Sequence, residues 1–127
     1  MQKNFAIIGC GRIGRRHAEQ AILLANVKAV CDIVHSRADE LAAYYKATPY
    51  YTLEDLLAAE PKIDIISICT PNGLHATHSI KSLQAGINVL CEKPLCITVK
   101  TGEEMIAAAK KANKKLFVVK QNRYNPP

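Results

Sequence analysis

The hexapeptide Gly9-Cys10-Gly11-Arg12-Ile13-Gly14 lies between an apolar run, Phe5-Ala6-Ile7-Ile8, and a stretch of helical composition from Arg12 to Ala25. Three glycines at that spacing permit a tight reversal from a buried strand into a helix. In isolation the hexapeptide is weak evidence, and the flanking strand, the helix and an acid at Asp32 give it weight. Short apolar runs rich in β-branched residues recur downstream at Val27–Cys31, Ile63–Cys69, Ile87–Cys91 and Leu116–Val119. Between them lie helical stretches: one through Asp39, Glu40 and Leu41 with Ser36 as its cap, a short one capped by Thr52, one from His75 to Ala85 ending at Gly86, and one from Thr101 to Asn113. A further strand at Thr48–Tyr51 is weakly signalled. Continuous apolar strands are buried on both faces, and crossovers between parallel strands must pass over a face. The expected class is α/β: a Rossmann-like, doubly wound parallel sheet of about six strands with helices on both faces.

With 127 residues the chain supports one core and buries roughly two thirds of its unfolded surface, so folding needs neither a disulfide nor a metal. No apolar run approaches the roughly 18 residues of a membrane span. The five cysteines are odd in number and contain no C-x-x-C pair. Cys31, Cys69 and Cys91 each close an apolar run, as small buried hydrophobes do in a reducing compartment, and a cytoplasmic location is expected. The net charge of +6 suits an anionic partner. Lys110, Lys111, Lys114 and Lys115 supply part of it at a helix end, where cations complement the dipole, so they read as a solvated face and neither nucleic acid nor membrane is expected as a partner.

In the glycine loop, Gly9 allows the turn, Gly11 lets the backbone approach a pyrophosphate, and Gly14 lets the helix pack on the strand. The open helix end then meets the anion. Asp32, twenty-three residues after Gly9, closes the second strand where a carboxylate accepts both hydroxyls of an adenosine ribose and repels a 2′-phosphate. That favours NAD over NADP. Arg37 blurs the choice, since it would either stack on adenine or meet a 2′-phosphate. The glycines alone also fit a tight turn without ligand or a methyltransferase-like nucleoside site.

Thr70-Pro71-Asn72-Gly73-Leu74-His75 leaves the central strand at the edge where open α/β sheets bind ligands. Thr70 and Asn72 are candidate partners for a ribose or the nicotinamide end. His75 and His78 have metal-pair spacing but no third ligand, so no metal is expected. His75 reads as part of the cofactor loop, His78 as helix surface, and His17 and His35 as surface or packing residues. Lys93, held between Glu92 and Pro94 at a strand end, is the candidate for orienting a substrate hydroxyl and, if desolvated, taking its proton. The alternative is a solvated lysine near a turn. Pro94 is a candidate for a cis bond.

Taken together, Gly9 to Gly14 with His17, Thr70-Pro71-Asn72 with His75, and Glu92-Lys93-Pro94-Leu95 resemble the Gfo/Idh/MocA oxidoreductases, the glucose-fructose oxidoreductase and inositol dehydrogenase family. The Glu-Lys-Pro signature is the most specific of the three, and the likeness spans the chain. The tail, Gln121 to Pro127, further resembles members that oxidise nucleotide-sugar uronates, the UDP-N-acetyl-2-amino-2-deoxyglucuronate dehydrogenases of surface-polysaccharide pathways. The resemblance implies that Lys93 is catalytic and that Cys10, Arg12, Ile13, Pro71, His75, Glu92 and Asn122 join the glycines, Asp32, Arg37, Thr70 and Asn72 around the cofactor. It also implies that Arg123, Tyr124 and Asn125 approach a sugar or nucleotide-sugar substrate with Lys93, and that hydride passes from a sugar carbon, C3, to the nicotinamide.

Family members continue into an α/β substrate domain that mediates homo-oligomerisation. Residues 1–120 are therefore expected to form the dinucleotide domain and 121–127 the start of a connection to a domain missing here, leaving a fragment that binds NAD without turning over sugar. Competing readings are a dehydrogenase of a simple polyol or sugar such as inositol or glucose, a non-catalytic NAD-sensing module, and a nucleic-acid binder acting through the positive charge.

Overall fold

Alternation along β1 (Asn4–Ile8) sends Ala6 and Ile8 into one apolar cluster and Ile7 into another, so the strand is covered on both faces. The structure, a computed structural model, describes residues 2–60 and 62–120. Five more strands, β2 (Asn26–Cys31), β3 (Thr48–Tyr50), β4 (Ile65–Ile68), β5 (Asn88–Cys91) and β6 (Leu116–Val118), join β1 in one sheet of order β3-β2-β1-β4-β5-β6. Every pairing is parallel. The expected class and strand number both hold.

Helices α1 (Arg12–Ala21) and α2 (His35–Tyr45) contribute Ala18, Ala21, Ala38 and Leu41 to the cluster around Ile7, Val27 and Val30. Helices α3 (Leu53–Ala59), α4 (His75–Gln84) and α5 (Val99–Ala112) bring Leu56, Leu83 and Met105 onto Ile8, Ile66 and Val89 on the opposite face. Each such large side chain contributes about 1.5–3 kcal/mol by leaving water.

Several boundaries differ from the sequence expectation. Helix α1 ends at Ala21 instead of Ala25, and β4 is confined to Ile65–Ile68. Helix α2 starts at His35 with Val34 as N-cap, so Ser36 is not its cap; the Asp32 carboxylate accepts the Val34 N–H instead. Thr52 does cap α3, accepting from Asp55 N–H at 3.2 Å. Helix α5 begins before Thr101, because Thr98 and Thr101 cap each other reciprocally. Strand β3 forms at the sheet edge, where Pro49 costs no ladder bond inside the sheet.

β1 pairs with β2 on one side and β4 on the other, so the loops leaving β1 and β4 diverge to opposite faces. A crevice opens there, at the carboxyl ends of the strands.

Candidate functional site

Gly9 turns the chain with φ +93°, and a Cβ there would lie 2.5 Å from the Cys69 carbonyl oxygen. A Cβ on Gly14 would overlap the Gly9 carbonyl oxygen and press on Ile7 Cγ2 at 3.3 Å. These two glycines serve the close passage of α1 over β1 and β4. Gly11 differs: φ is −77°, open to any residue, and nothing lies within 4 Å of its virtual Cβ. The protein itself gives no reason for glycine here, so the space a side chain would fill is left for a ligand. Gly11 is the N-cap of α1, no side chain caps the helix, and its first turn holds no acid. An anion therefore meets a positive helix end without competition.

Asp32 follows β2 beside this loop. Its Oδ2 accepts from Cys10 N–H and its Oδ1 from Val34 N–H, both at 2.8 Å. Each carboxylate oxygen keeps a lone pair for a ribose hydroxyl, because an ionised carboxylate accepts about four hydrogen bonds. A groove of about 490 Å³ runs between the two walls, lined by Gly9, Gly11, Arg12, Ile13, Asp32 and Arg37 from one and by Thr70, Pro71 and Leu74 from the other. Arg15 and Arg16 join Arg12 and Arg37 around an adjoining depression, giving the phosphate end a positive rim. The open methyl-sized space at Gly11, the bare helix end and the fixed carboxylate suit a dinucleotide.

Not every expected contact reaches the groove. Cys10 is wholly buried, with its N–H on Asp32 and its thiol on the Cys31 carbonyl at 3.4 Å, so it shapes the loop from beneath. Burial, then Asp32, pushes that thiol up to about 12. His75 is 1% exposed, with Nδ1 2.7 Å from the Pro94 carbonyl oxygen and Nε2 2.8 Å from that of Thr70. Both ring nitrogens face backbone, which makes His75 a tie between the Thr70 loop and the turn after β5 in place of the ligand contact expected. Asn72 is exposed in a single 3-10 turn, Asn72–Leu74. Asn122, Arg123, Tyr124 and Asn125 lie outside the described residues.

Lys93 follows β5 and is exposed, against the desolvation the sequence reading allowed. The Lys93–Pro94 bond is cis. Glu92 is buried: its Oε2 accepts from Lys93 N–H at 3.1 Å and its Oε1 from His17 Nε2 at 2.8 Å. Two histidines were therefore misjudged. His17, expected at the surface or in packing, bridges α1 to the Glu92-Lys93 turn, and His78, expected on helix surface, lines the groove and bonds Thr70 Oγ1 through Nδ1 at 3.0 Å. Burial, then Lys81, holds His78 below the ordinary histidine range. The spacing His75-x-x-His78 flagged His78, and His17 entered only through the family resemblance, with no partner legible in the sequence. Among the described residues no group of three or more His, Cys, Asp or Glu forms a metal site, and no helix is long and apolar enough to cross a membrane.

Comparison with known proteins agrees with this geometry. Residues 3–120 match the family model GFO_IDH_MocA, described as an oxidoreductase family with an NAD-binding Rossmann fold. The WlbA dehydrogenase of Chromobacterium violaceum, solved in complex with NADH and UDP-GlcNAcA, matches 98% of this chain and 36% of its own with TM-score 0.92 and 41% identity. Myo-inositol 2-dehydrogenase of Lactobacillus plantarum matches 98% and 38% with TM-score 0.89 and 28% identity. The D-glucoside 3-dehydrogenase of Escherichia coli K12 is 34% identical over 114 residues, 87% of this chain and 32% of the relative. The chain thus spans about a third of the length of the relatives it matches. It belongs to the Gfo/Idh/MocA oxidoreductase family and comprises that family's NAD-binding domain.

Proposed function

We propose that this chain is the cofactor half of an NAD-dependent dehydrogenase that oxidises a hydroxyl-bearing carbon of a nucleotide sugar, C3 of a UDP-sugar uronate, with residues 1–120 as the cofactor domain and 121–127 leading towards a substrate domain. The observation that carries the reading is the common edge of the sheet: Gly9, Asp32, Thr70 and Lys93 all follow the carboxyl ends of parallel strands β1, β2, β4 and β5. Likeness to a dehydrogenase solved with NADH and UDP-GlcNAcA supports the substrate class.

When bound, NAD accepts a hydride at its nicotinamide ring. The α1 N-terminus and Gly11 backbone hold the pyrophosphate, Asp32 the adenosine ribose, and Thr70 and Pro71 the wall towards the nicotinamide. Lys93 Nζ orients the reacting hydroxyl, and once bound substrate and cofactor cover and desolvate it, its neutral amine takes the hydroxyl proton as hydride leaves the carbon. The family resemblance assigns Asn122 to the cofactor and Arg123, Tyr124 and Asn125 to the sugar.

A titration calorimetry run with NAD on the 127-residue chain tests the cofactor half, and a folded sample without heat of binding overturns it. For catalysis, a polypeptide joining this domain to a substrate domain is assayed by NADH absorbance with UDP-GlcNAcA, myo-inositol and a methyl glucoside. Oxidation of UDP-GlcNAcA is expected to have the highest kcat/KM. A higher value with inositol or the glucoside would replace it by the simpler-sugar reading, for which the glucoside and inositol dehydrogenases speak. Lys93→Ala should lower kcat far more than it raises the Kd for NAD; equal losses would remove Lys93 from the chemistry.

A further inference from the structure

His17 and Glu92 are 75 positions apart yet meet at 2.8 Å with only 13% and 11% of their side chains exposed. A pair so buried needs an explanation, because its desolvation roughly cancels its attraction and an apolar pair would stabilise the fold as well. Geometry supplies one. Glu92 is held by both carboxylate oxygens, Oε1 by the ring N–H of His17 and Oε2 by the backbone N–H of Lys93, which fixes the plane of the carboxylate and the start of the turn together. Since a carboxylate only accepts, Nε2 of His17 carries the proton. The far side of the turn is met separately by the buried His75 ring, whose Nδ1 lies 2.7 Å from the Pro94 carbonyl oxygen. Lys93 therefore projects from a turn clamped on both flanks, while its own side chain is exposed.

His17 also stands on the helix that meets the cofactor. It lies five residues into α1 from Arg12, about 7.5 Å along the axis from the helix end that faces the pyrophosphate. The body of α1 is anchored in the core by Ala18 and Ala21. A helix turn is stiff on this scale, so one rigid element touches the phosphate end of the cofactor and, through Glu92, the backbone of the lysine.

We propose that His17 is a positioning residue: through Glu92 it sets the Lys93 backbone relative to the phosphate-binding end of α1. The proposal rests on Lys93 acting on substrate as described above. It assigns His17 no contact with substrate or cofactor.

The test uses His17→Leu, which fills the space without a donor, and His17→Gln, whose amide nitrogen reaches the place of Nε2. In the ¹⁵N-labelled 127-residue chain, His17→Leu should speed hydrogen exchange of the Lys93 amide by about tenfold or more, the worth of a hydrogen bond to a charged group, and shift its proton resonance upfield. His17→Gln should restore both, and the Kd for NAD should stay within about threefold in each. On a Glu92→Ala background His17→Leu should add nothing to the exchange rate. In the turnover assay His17→Leu should lower kcat about tenfold with the KM for NAD nearly unchanged. If Leu fails to fold, His17→Asn, whose amide falls short of Glu92, gives the same readouts. Unchanged Lys93 exchange in a folded variant, equal behaviour of Leu and Gln, or unchanged kcat would each overturn the proposal. Failure of the underlying reading would look different: Lys93→Ala would leave kcat intact while the amide results still held.

Discussion

Gly11, the N-cap of α1, and Gly14, in its first turn, sit three residues apart, and substituting each by alanine should separate folding from ligand binding. At Gly11 the new methyl enters open space in a backbone conformation that any residue adopts. Alanine gains about 0.4–1 kcal/mol by restricting the unfolded chain, and it loses a similar amount as a poorer N-cap than glycine. The net change stays within about 1 kcal/mol. For a chain of this size that is roughly 4 °C in Tm. At Gly14 the methyl would overlap the Gly9 carbonyl oxygen, a backbone atom that yields only if α1 lifts from β1. Overpacking of that severity costs about 3 kcal/mol, which is a fall in Tm of about 12 °C.

Binding should separate the two in the opposite sense. A methyl on Gly11 occupies the place where the pyrophosphate approaches the helix end, and losing one charge-assisted bond of about 2 kcal/mol raises the Kd for NAD about 30-fold. Differential scanning calorimetry and NAD titration on Gly11→Ala together decide the matter. A folded Gly11→Ala variant that binds NAD as tightly as the parent would refute the assignment of this loop to the phosphates. A destabilised Gly11→Ala would refute the claim that the protein leaves that space empty.

Asp32→Asn should lower Tm by about 4–8 °C, since an amide cannot accept both the Cys10 and Val34 N–H groups, and should raise the Kd for NAD about tenfold while NADP gains relative to it; an unchanged NAD-to-NADP ratio would count against the ribose role. Thr98→Ala removes the capping box of α5 and should cost about 1 kcal/mol, roughly 4 °C in Tm by circular dichroism. Burial foremost raises the thiols of Cys10 and Cys31 from about 9 to about 12 and that of Cys91 to about 11. The unfolded thiols ionise first as pH rises, so their contribution to stability is intact below about pH 9 and is lost above it, up to about 1.4 kcal/mol per pH unit for each. Urea midpoints at pH 8 and 10 should show the fall, and Cys31→Ala should make it shallower; equal slopes would contradict the thiol origin.

The parts of this molecule that could be read from the chain are those written by neighbours in sequence. β-Branched runs announced the strands, the glycine spacing announced the loop, and the acid after the second strand announced Asp32. Partnerships between distant elements left no such trace. His17 entered the family resemblance, but its partner stayed illegible until Glu92, just past β5, came within 2.8 Å. The misreading of His75 has the same origin: a side chain's work depends on which backbone groups the tertiary register presents to it, and Pro94 arrives from another element. Ser36 loses the cap to a local competitor, since Asp32, two residues before Val34, takes the N–H that opens the helix.

That difference follows from the parallel sheet itself. All its strands run the same way, so whatever follows a strand is delivered to one edge, and a residue's place at that edge is fixed by its offset from a hydrophobic run. Gly9, Asp32, Thr70 and Glu92 meet by this rule, and each follows an apolar run recognisable in the sequence. The rule sets where a strand end sits but not how its side chains point. Orientation falls to residues on the covering helices, which offer no comparable marker. His17 from α1 and His75 from α4 act on the Glu92-Lys93-Pro94 turn in that way, one through a carboxylate and one through a carbonyl. The strands thus bring Gly9, Asp32, Thr70 and Glu92 to one edge, and the helices that cover them hold the turn that carries Lys93.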